Sequence, residues 1–267
     1  MNSKIRLAFP LAALAVAAAL GAMPSPARRQ IFVTSSFNGT IGEYTTSGTT
    51  IDPALITGLG GPHSIAISGT NLYVVNLNGP VGQYTTSGTT VHSSLISGLN
   101  SPHGIAISGS TLFITNYLAG TIGEYNTSGS VINAALITGL SKPIGIAISR
   151  SNLYVANSNV GGIPFNGTIG EYTTSGATID PALITGLGGP QSIAISGTNL
   201  YVANANGTIG QYTTAGATIN PTLITGLTAP QDLVVVPEPS AWALLTTGVG
   251  AWLSFGRRFR WRKTGDA

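Results

Sequence analysis

The stretch Gly61-Pro62-His63-Ser64-Ile65-Ala66-Ile67-Ser68 decides the fold, because related stretches return along the chain at a nearly constant spacing. The further copies begin at Ser101, Lys142, Gly189 and, in degenerate form, Ala229. Their prolines are separated by 40, 41, 47 and 40 residues, the long step marking an insertion around residues 160–165. The tyrosine of a second marker, Gly-Glu/Gln-Tyr, repeats with the same spacing. The chain is therefore one structural unit repeated about five times.

Each unit contains four short β-type runs separated by turn residues. In the second unit the predicted strands are Ser64–Ser68, Leu72–Asn76, Val81–Thr86 and Leu95–Leu99. Four strands in a period of about 40 residues are typical of one blade of a β-propeller. The runs are apolar on both faces, as a sheet packed between two neighbouring blades requires.

The two ends of the repeat region predict how many blades there are and how the ring closes. The chain enters with a second-strand run at Ile31-Phe32-Val33 and leaves with an unpaired first-strand run at Leu233–Val236. Joining these runs completes a fifth blade. We therefore predict an all-β, five-bladed propeller of four-stranded blades over residues 30–236, closed by strand exchange between its ends. A β-solenoid and an open β-sandwich repeat are the alternatives, but neither accounts for the missing strand at one end and the spare one at the other.

The segment Pro143–Asn157, continued at Asn166–Ile169, resembles an NHL-type propeller repeat. The resemblance implies the same blade architecture. The charged residues usual in that family are mostly replaced here by Asn, Thr and Ser, so its ligand-binding residues do not carry over.

Charge is concentrated at the two ends of the 267-residue chain. The whole sequence has a formal charge of +3, but residues 30–236 hold only two cations, Lys142 and Arg150, against six carboxylates, a net −4. A body without a basic face is not expected to bind nucleic acid. The absence of cysteine excludes disulfides, thiolate zinc sites and a cysteine nucleophile.

Residues 1–29 have the pattern of a secretory signal peptide. Lys4 and Arg6 precede an apolar run of 14 residues, Leu7 to Leu20, which is short for a membrane span. Small-residue exits at 19–21 and 25–27 both fit a cleavage site. An uncleaved anchor is the alternative.

Residues 237–267 resemble the PEP-CTERM sorting signal. Pro237-Glu238-Pro239 is followed by the apolar run Ala241 to Phe255 and then by a basic cluster. That cluster comprises Arg257, Arg258, Arg260, Arg262 and Lys263. Together with residues 1–29, this gives two apolar, helical targeting segments flanking the propeller. The resemblance implies that the carboxyl-terminal one is a transient membrane anchor held by its cytoplasmic basic cluster, processed by an exosortase after export by the general secretory machinery. A plain tail anchor is the alternative.

Two histidines are the strongest candidates for a binding site. His63 and His103 occupy the same slot, immediately before the predicted inner strand, in neighbouring blades. Their equivalents are Ile144, Gln191 and Gln231, and the five side chains are expected to ring one mouth of the central channel. No carboxylate is predicted in that ring, and a catalytic metal site usually needs a third ligand. A passive polar rim is therefore the alternative to a ligand site formed by His63, His103, Gln191 and Gln231.

These observations predict an exported, non-catalytic propeller of the cell surface or extracellular matrix. We expect no catalytic residue, no metal and no cofactor. Exopolysaccharide or envelope proteins are the expected partners. The alternative is a propeller lyase or hydrolase that uses His63 and His103.

Overall fold

The computed structural model describes residues 30–45, 49–158, 166–228 and 230–233. Within these ranges the chain forms antiparallel sheets arranged as the five blades of a β-propeller. Blades 2 to 5 have four strands each, and blade 1 has three in the described residues. The predicted all-β propeller is confirmed, and the described ranges contain no helix.

Each blade runs outward from an inner strand that begins at the repeated proline. The inner strands are β4 (Pro62–Ser68), β8 (Pro102–Ser108), β12 (Pro143–Ser149) and β16 (Pro190–Ser196). The second strands are β1 (Gln30–Ser35), β5 (Asn71–Asn76), β9 (Thr111–Asn116), β13 (Asn152–Asn157) and β17 (Asn199–Asn204). The third strands are β2 (Thr40–Thr45), β6 (Val81–Thr85), β10 (Thr121–Asn126), β14 (Gly167–Thr173) and β18 (Thr208–Thr213). The outer strands are β3 (Thr50–Ile56), β7 (Thr90–Ile96), β11 (Val131–Ile137), β15 (Thr178–Leu187) and β19 (Thr218–Ile224).

The hydrophobic core lies between the blades. Tyr73 and Val75 of β5 pack with Ile105, Leu112 and Ile114 of blade 3, and all five side chains are buried. The same arrangement joins blade 4 to blade 5. The second strands β5, β9 and β13 are therefore apolar on both faces, because each is covered by a blade on either side. The second strand of blade 1, β1, is largely exposed.

The Gly-Glu/Gln-Tyr marker on each third strand has a packing explanation. Residues i and i+2 of a strand point to the same face, and the tyrosine ring folds back over the glycine two positions earlier. A Cβ placed on Gly123 would lie 2.6 Å from Cε2 of Tyr125, and the equivalent glycines of the other blades are equally tight. Only glycine leaves room for this ring in every blade.

The carboxyl end of the described chain lies between blades 5 and 2. Ser192 at the start of β16 donates a hydrogen bond to Asp232 Oδ1 at 2.5 Å, and the amide of Leu233 donates to Ser192 Oγ at 3.3 Å. Asp232 is also close enough for its charge to raise the pKa of His63 on β4, though this is a minor influence on that imidazole. This is the place that strand exchange predicts for residues 233–236. Residues 234–236 themselves lie outside the described ranges.

The outer strand begins and ends earlier than the sequence predicts. In blade 2 the prediction is Leu95–Leu99, whereas β7 covers Thr90–Ile96. The first five residues of β7 are exposed, since no blade covers the outer edge, so the strand lacks an apolar pattern there. Its pairing also shifts register between Val81/Ile96 and Gln83/His92, which accommodates a bulge.

The two ends of the propeller axis are distinguished by the direction of the inner strands. The proline face is the end at which the inner strands begin, at Pro62, Pro102, Pro143 and Pro190. The hairpin face is the end at which they turn into the second strands through two-residue loops.

The predicted targeting segments, residues 1–29 and 237–267, lie outside the described ranges. Among the residues the structure describes, none belongs to a helix long and apolar enough to cross a membrane.

Candidate functional site

His63 and His103 are in direct contact at the proline face. Each is the second residue of its inner strand, and β4 and β8 are neighbours in the ring. Their ring centroids are 4.9 Å apart, with the planes inclined at 62° in an edge-to-face arrangement. Because the two histidines occupy the same position in neighbouring blades, their imidazoles lie side by side, as the sequence predicts.

Both imidazoles have a defined hydrogen-bonding state. Nδ1 of His63 lies 3.2 Å from the carbonyl oxygen of His103, and Nδ1 of His103 lies 2.9 Å from that of Ser101. A carbonyl oxygen only accepts, so each Nδ1 carries a proton and each neutral ring keeps its lone pair on Nε2. Burial lowers the pKa of both histidines and so favours these neutral rings. The pair can accept hydrogen bonds from ligand hydroxyl or amide groups.

Two further side chains extend this pair. The ring of Tyr117 stacks on His103, with centroids 4.6 Å apart and planes inclined at 26°. The ammonium of Lys142 lies 5.7 Å from the centroid of Tyr117, within cation–π range. We call His63, His103 and Tyr117 the ring row; Lys142 lies at its end.

Sequence reasoning missed Tyr117 and Lys142, although the repeat contains a signal for both. The equivalents of Tyr117 at the residue after the second strand are Ser36, Leu77, Ser158 and Ala205. Lys142 has a backbone φ of 51°; its equivalents are Gly61 and Gly189, at 74° and 76°, and Ser101, at 54°, so Lys142 is the charged residue at this position. Tyr117 and Lys142 therefore differ from the residues at the equivalent positions of the other blades, and both lie close to the two histidines.

The other members of the predicted ring behave differently. Ile144 is buried on β12. Gln191 on β16 donates from Nε2 to the carbonyl oxygen of Gly189 at 3.2 Å, within its own loop. Gln231 precedes Asp232, whose carboxylate was not expected near the histidines. Asp232 therefore adds the nearby acid that the sequence prediction lacked.

The remaining predicted site residues lie outside the described ranges. These are the sorting motif Pro237, Glu238 and Pro239 and the basic cluster Arg257, Arg258, Arg260, Arg262 and Lys263. Within the described part of the chain, no three His, Cys, Asp or Glu side chains are grouped so that they could hold a metal ion.

Comparison with known proteins relates the fold to solved propellers. No family model and no curated protein matches the chain. A chain of a nidogen/laminin complex is 20% identical, with a TM-score of 0.66 over 78% of this chain and 81% of that one. A gluconolactonase from Xanthomonas campestris is 17% identical, with a TM-score of 0.61 over 77% and 76%. A streptogramin B lyase is 22% identical, with a TM-score of 0.56 over 79% and 74%.

The shared feature is the propeller fold. At these identities the likeness carries no residue roles, and the solved propellers include enzymes as well as members of a protein–protein complex. The function of this chain has to be argued from its own side chains.

Proposed function

We propose that the protein is an exported, non-catalytic β-propeller of the cell surface or extracellular matrix that contacts exopolysaccharide or envelope proteins through the ring row. The single observation that supports this proposal is the contact of His63, His103 and Tyr117 at one face of the propeller. Aromatic side chains can pack against the C–H face of a sugar, and the two Nε2 lone pairs can accept from its hydroxyls. Carbohydrates and polar protein loops both present such groups.

Delivery to the surface is the second part of the proposal. The signal-peptide pattern of residues 1–29 supports export, and the resemblance of residues 237–267 to a PEP-CTERM signal supports recognition by an exosortase. Deletion of residues 237–267 in the source cell should release or misplace the protein. Unchanged localisation of the shortened chain would contradict the sorting part alone.

Binding is tested on the full chain in mild detergent against a panel of exopolysaccharides and envelope proteins. The variant His63→Gln/His103→Gln uses the residue that blade 5 has in this slot, and Tyr117→Ser uses the residue of blades 1 and 4. We expect each to weaken binding at least about tenfold, the equivalent of about 1.4 kcal/mol. His92→Gln is the matched control, because His92 is exposed on β7. Binding that survives both ring-row variants would overturn the proposal.

A lyase or hydrolase is the second candidate, favoured by the direct contact between two imidazoles whose pKa values are lowered by burial. A neutral imidazole can act as a general base. The same preparations are assayed for opening of gluconolactone and of a streptogramin B, the compound classes named for two of the solved propellers. Turnover that is lost in His63→Gln/His103→Gln and kept in His92→Gln would replace the binding role with a catalytic one.

A further inference from the structure

A second site lies at the opposite end of β12, on the hairpin face between blades 4 and 5. An open cleft of about 940 Å³ is bounded by the loop that joins β12 to β13 and by two hairpins of blade 5. Its polar lining includes Arg150, Asn152, Glu171, Ser149, Thr198 and Thr214. Ile148 and Ile195 add an apolar part to the wall. The volume lies within the range of small-molecule sites, but the cleft is open to solvent and mostly polar, so it suits a hydrophilic ligand that stays partly exposed.

Arg150 stands in a backbone position that the repeat reserves for glycine. The loops between inner and second strands begin with Gly69, Gly109 and Gly197, whose φ values are 58°, 58° and 60°. Arg150 takes the same place with a φ of 56°. A positive φ is uncommon for a residue with a Cβ, and glycine is the preferred residue at the first position of such two-residue turns. Folding alone would favour glycine here, and an arginine at this position places a cation at the cleft.

Glu171 gives the cleft a carboxylate with an arrangement found in no other blade. Asn152 Nδ2 donates to Glu171 Oε1 at 2.7 Å, and the hydroxyl of Tyr154 donates to the same oxygen at 2.8 Å. Each equivalent triplet lacks at least one of the three residue types: Gln30/Phe32/Glu43, Asn71/Tyr73/Gln83, Thr111/Phe113/Glu124 and Asn199/Tyr201/Gln211. In blade 1 the amide of Gln30 also donates to Glu43, but Phe32 supplies no hydroxyl there. Glu171 is buried, and the two donors hold it in a fixed position at the cleft wall.

Tyr154 remains a donor throughout the physiological range. Burial and the neighbouring Glu171 raise the pKa of its hydroxyl to about 12. The same hydroxyl lies 3.3 Å from the carbonyl oxygen of Thr214 in blade 5, so it links the two blades that form the cleft. The carboxylate and its two donors line the same cleft as Arg150.

From this arrangement we infer that the cleft binds an acidic sugar of the hexuronate type. The guanidinium of Arg150 matches the planar carboxylate of such a sugar. Glu171 and the hydroxyl groups of the lining accept and donate hydrogen bonds to its ring hydroxyls, while Ile148 and Ile195 contact its C–H face. A neutral sugar would leave the arginine without an anion. A bare anion would meet a fixed carboxylate on the same wall.

The test measures binding of di- and trigalacturonate to the full chain by calorimetry. Arg150→Gly restores the repeat residue. We expect it to weaken binding at least tenfold and yet to raise the thermal midpoint by roughly 2 °C, because it relieves the positive-φ position. Arg150→Lys keeps the positive charge but lacks the planar guanidinium that can form two parallel hydrogen bonds to a carboxylate, so it should retain part of the affinity. Loss of affinity together with a gain of stability cannot come from misfolding.

The carboxylate is tested with a matched pair of variants. Glu171→Gln should weaken binding severalfold, whereas Glu124→Gln, the equivalent change in blade 3, should leave it unchanged. Every measurement is repeated in a His63→Gln/His103→Gln/Tyr117→Ser background, which removes any contribution of the ring row. Because the inference depends on the other face of the propeller, its failure would leave the proposed function standing.

Four outcomes would overturn the inference. They are wild-type affinity in Arg150→Gly, equal binding of the neutral trisaccharide maltotriose, equal binding of inorganic sulfate, and displacement of the uronate by a free amino acid. Equal binding of maltotriose would show that the charge of the uronate is not recognised, and equal binding of sulfate would show that its sugar ring is not. Displacement by an amino acid would show that Glu171 binds an ammonium group.

Discussion

Lys142 and Arg150 are the two cations of residues 30–236, and both occupy backbone positions with positive φ. The equivalents of Arg150 are Gly69, Gly109 and Gly197, whereas those of Lys142 are two glycines, Ser101 and Ala229. A non-glycine residue in this region costs of the order of 1 kcal/mol, and such strain is commonly kept at functional sites. The third non-glycine residue with a positive φ in the described residues is Ser101, before β8. The two cations therefore stand at strained positions on either end of one strand, β12, and each lies beside one of the two candidate sites.

The histidine pair leads to a prediction about pH. Burial lowers the pKa of His63 and His103 in the folded protein below the ordinary value near 6.5 that they recover on unfolding. Below pH 6.5 the unfolded chain therefore binds more protons, and the free energy of unfolding falls as the pH drops through the folded pKa values. Above pH 6.5 this contribution is fully present.

Urea unfolding at pH 7.5 and pH 5 measures the effect. We expect the wild-type midpoint to drop on acidification, and His63→Gln/His103→Gln to drop less. His92→Gln is the control for a histidine that is exposed on β7. If the double variant loses as much stability as the wild type between the two pH values, the histidines are not the groups responsible.

At the scale of the strand, the glycine of the Gly-Glu/Gln-Tyr marker is the position at which packing is tightest. Gly123→Ala would place a Cβ 2.6 Å from the ring of Tyr125, which is itself buried. Forcing the ring outward should cost about 1–3 kcal/mol, as overpacking generally does. Gly60→Ala is the control, because no atom lies within 4 Å of its Cβ position. Its effect should stay within about 0.5 kcal/mol.

Denaturant unfolding of the two variants separates packing from backbone effects. Equal losses of stability in Gly123→Ala and Gly60→Ala would show that the tyrosine ring does not explain the marker.

The inner and third strands could be predicted from sequence because their pattern is internal to the blade. Ile65-Ala66-Ile67 and the Gly-x-Tyr marker repeat in nearly every blade, although Ala66 is buried and Ile67 is 47% exposed. The outer strand of blade 2 could not be located, since Thr90 to Ser94 are exposed and follow no apolar period.

His63 and His103 could be paired because they share a slot in neighbouring blades. Tyr117 and Arg150 could not be assigned, because each lies on a loop whose contacts depend on the neighbouring elements.

At the scale of the whole molecule, the central question is how a chain without disulfides keeps a ring of five blades closed. Inner strands contact their neighbours from β4 through β8 and β12 to β16, which leaves one junction to be made. Asp232 lies at that junction, hydrogen-bonded to Ser192 of blade 5 and acting electrostatically on His63 of blade 2. The carboxyl end of the repeat region thus supports both the ring and the histidine site.

Two truncations test this closure. Ending the chain after Val236 removes the sorting segment and should leave the thermal midpoint close to that of the full chain. Ending it after Leu227 also removes the bond to Ser192 and the predicted closing strand. A loss of about 3 kcal/mol there would lower the midpoint by roughly 6–12 °C for a domain of this size. Equal midpoints for the two shortened chains would mean that the ring closes without residues 228–236. Asp232 would then not be needed to stabilise the propeller around His63.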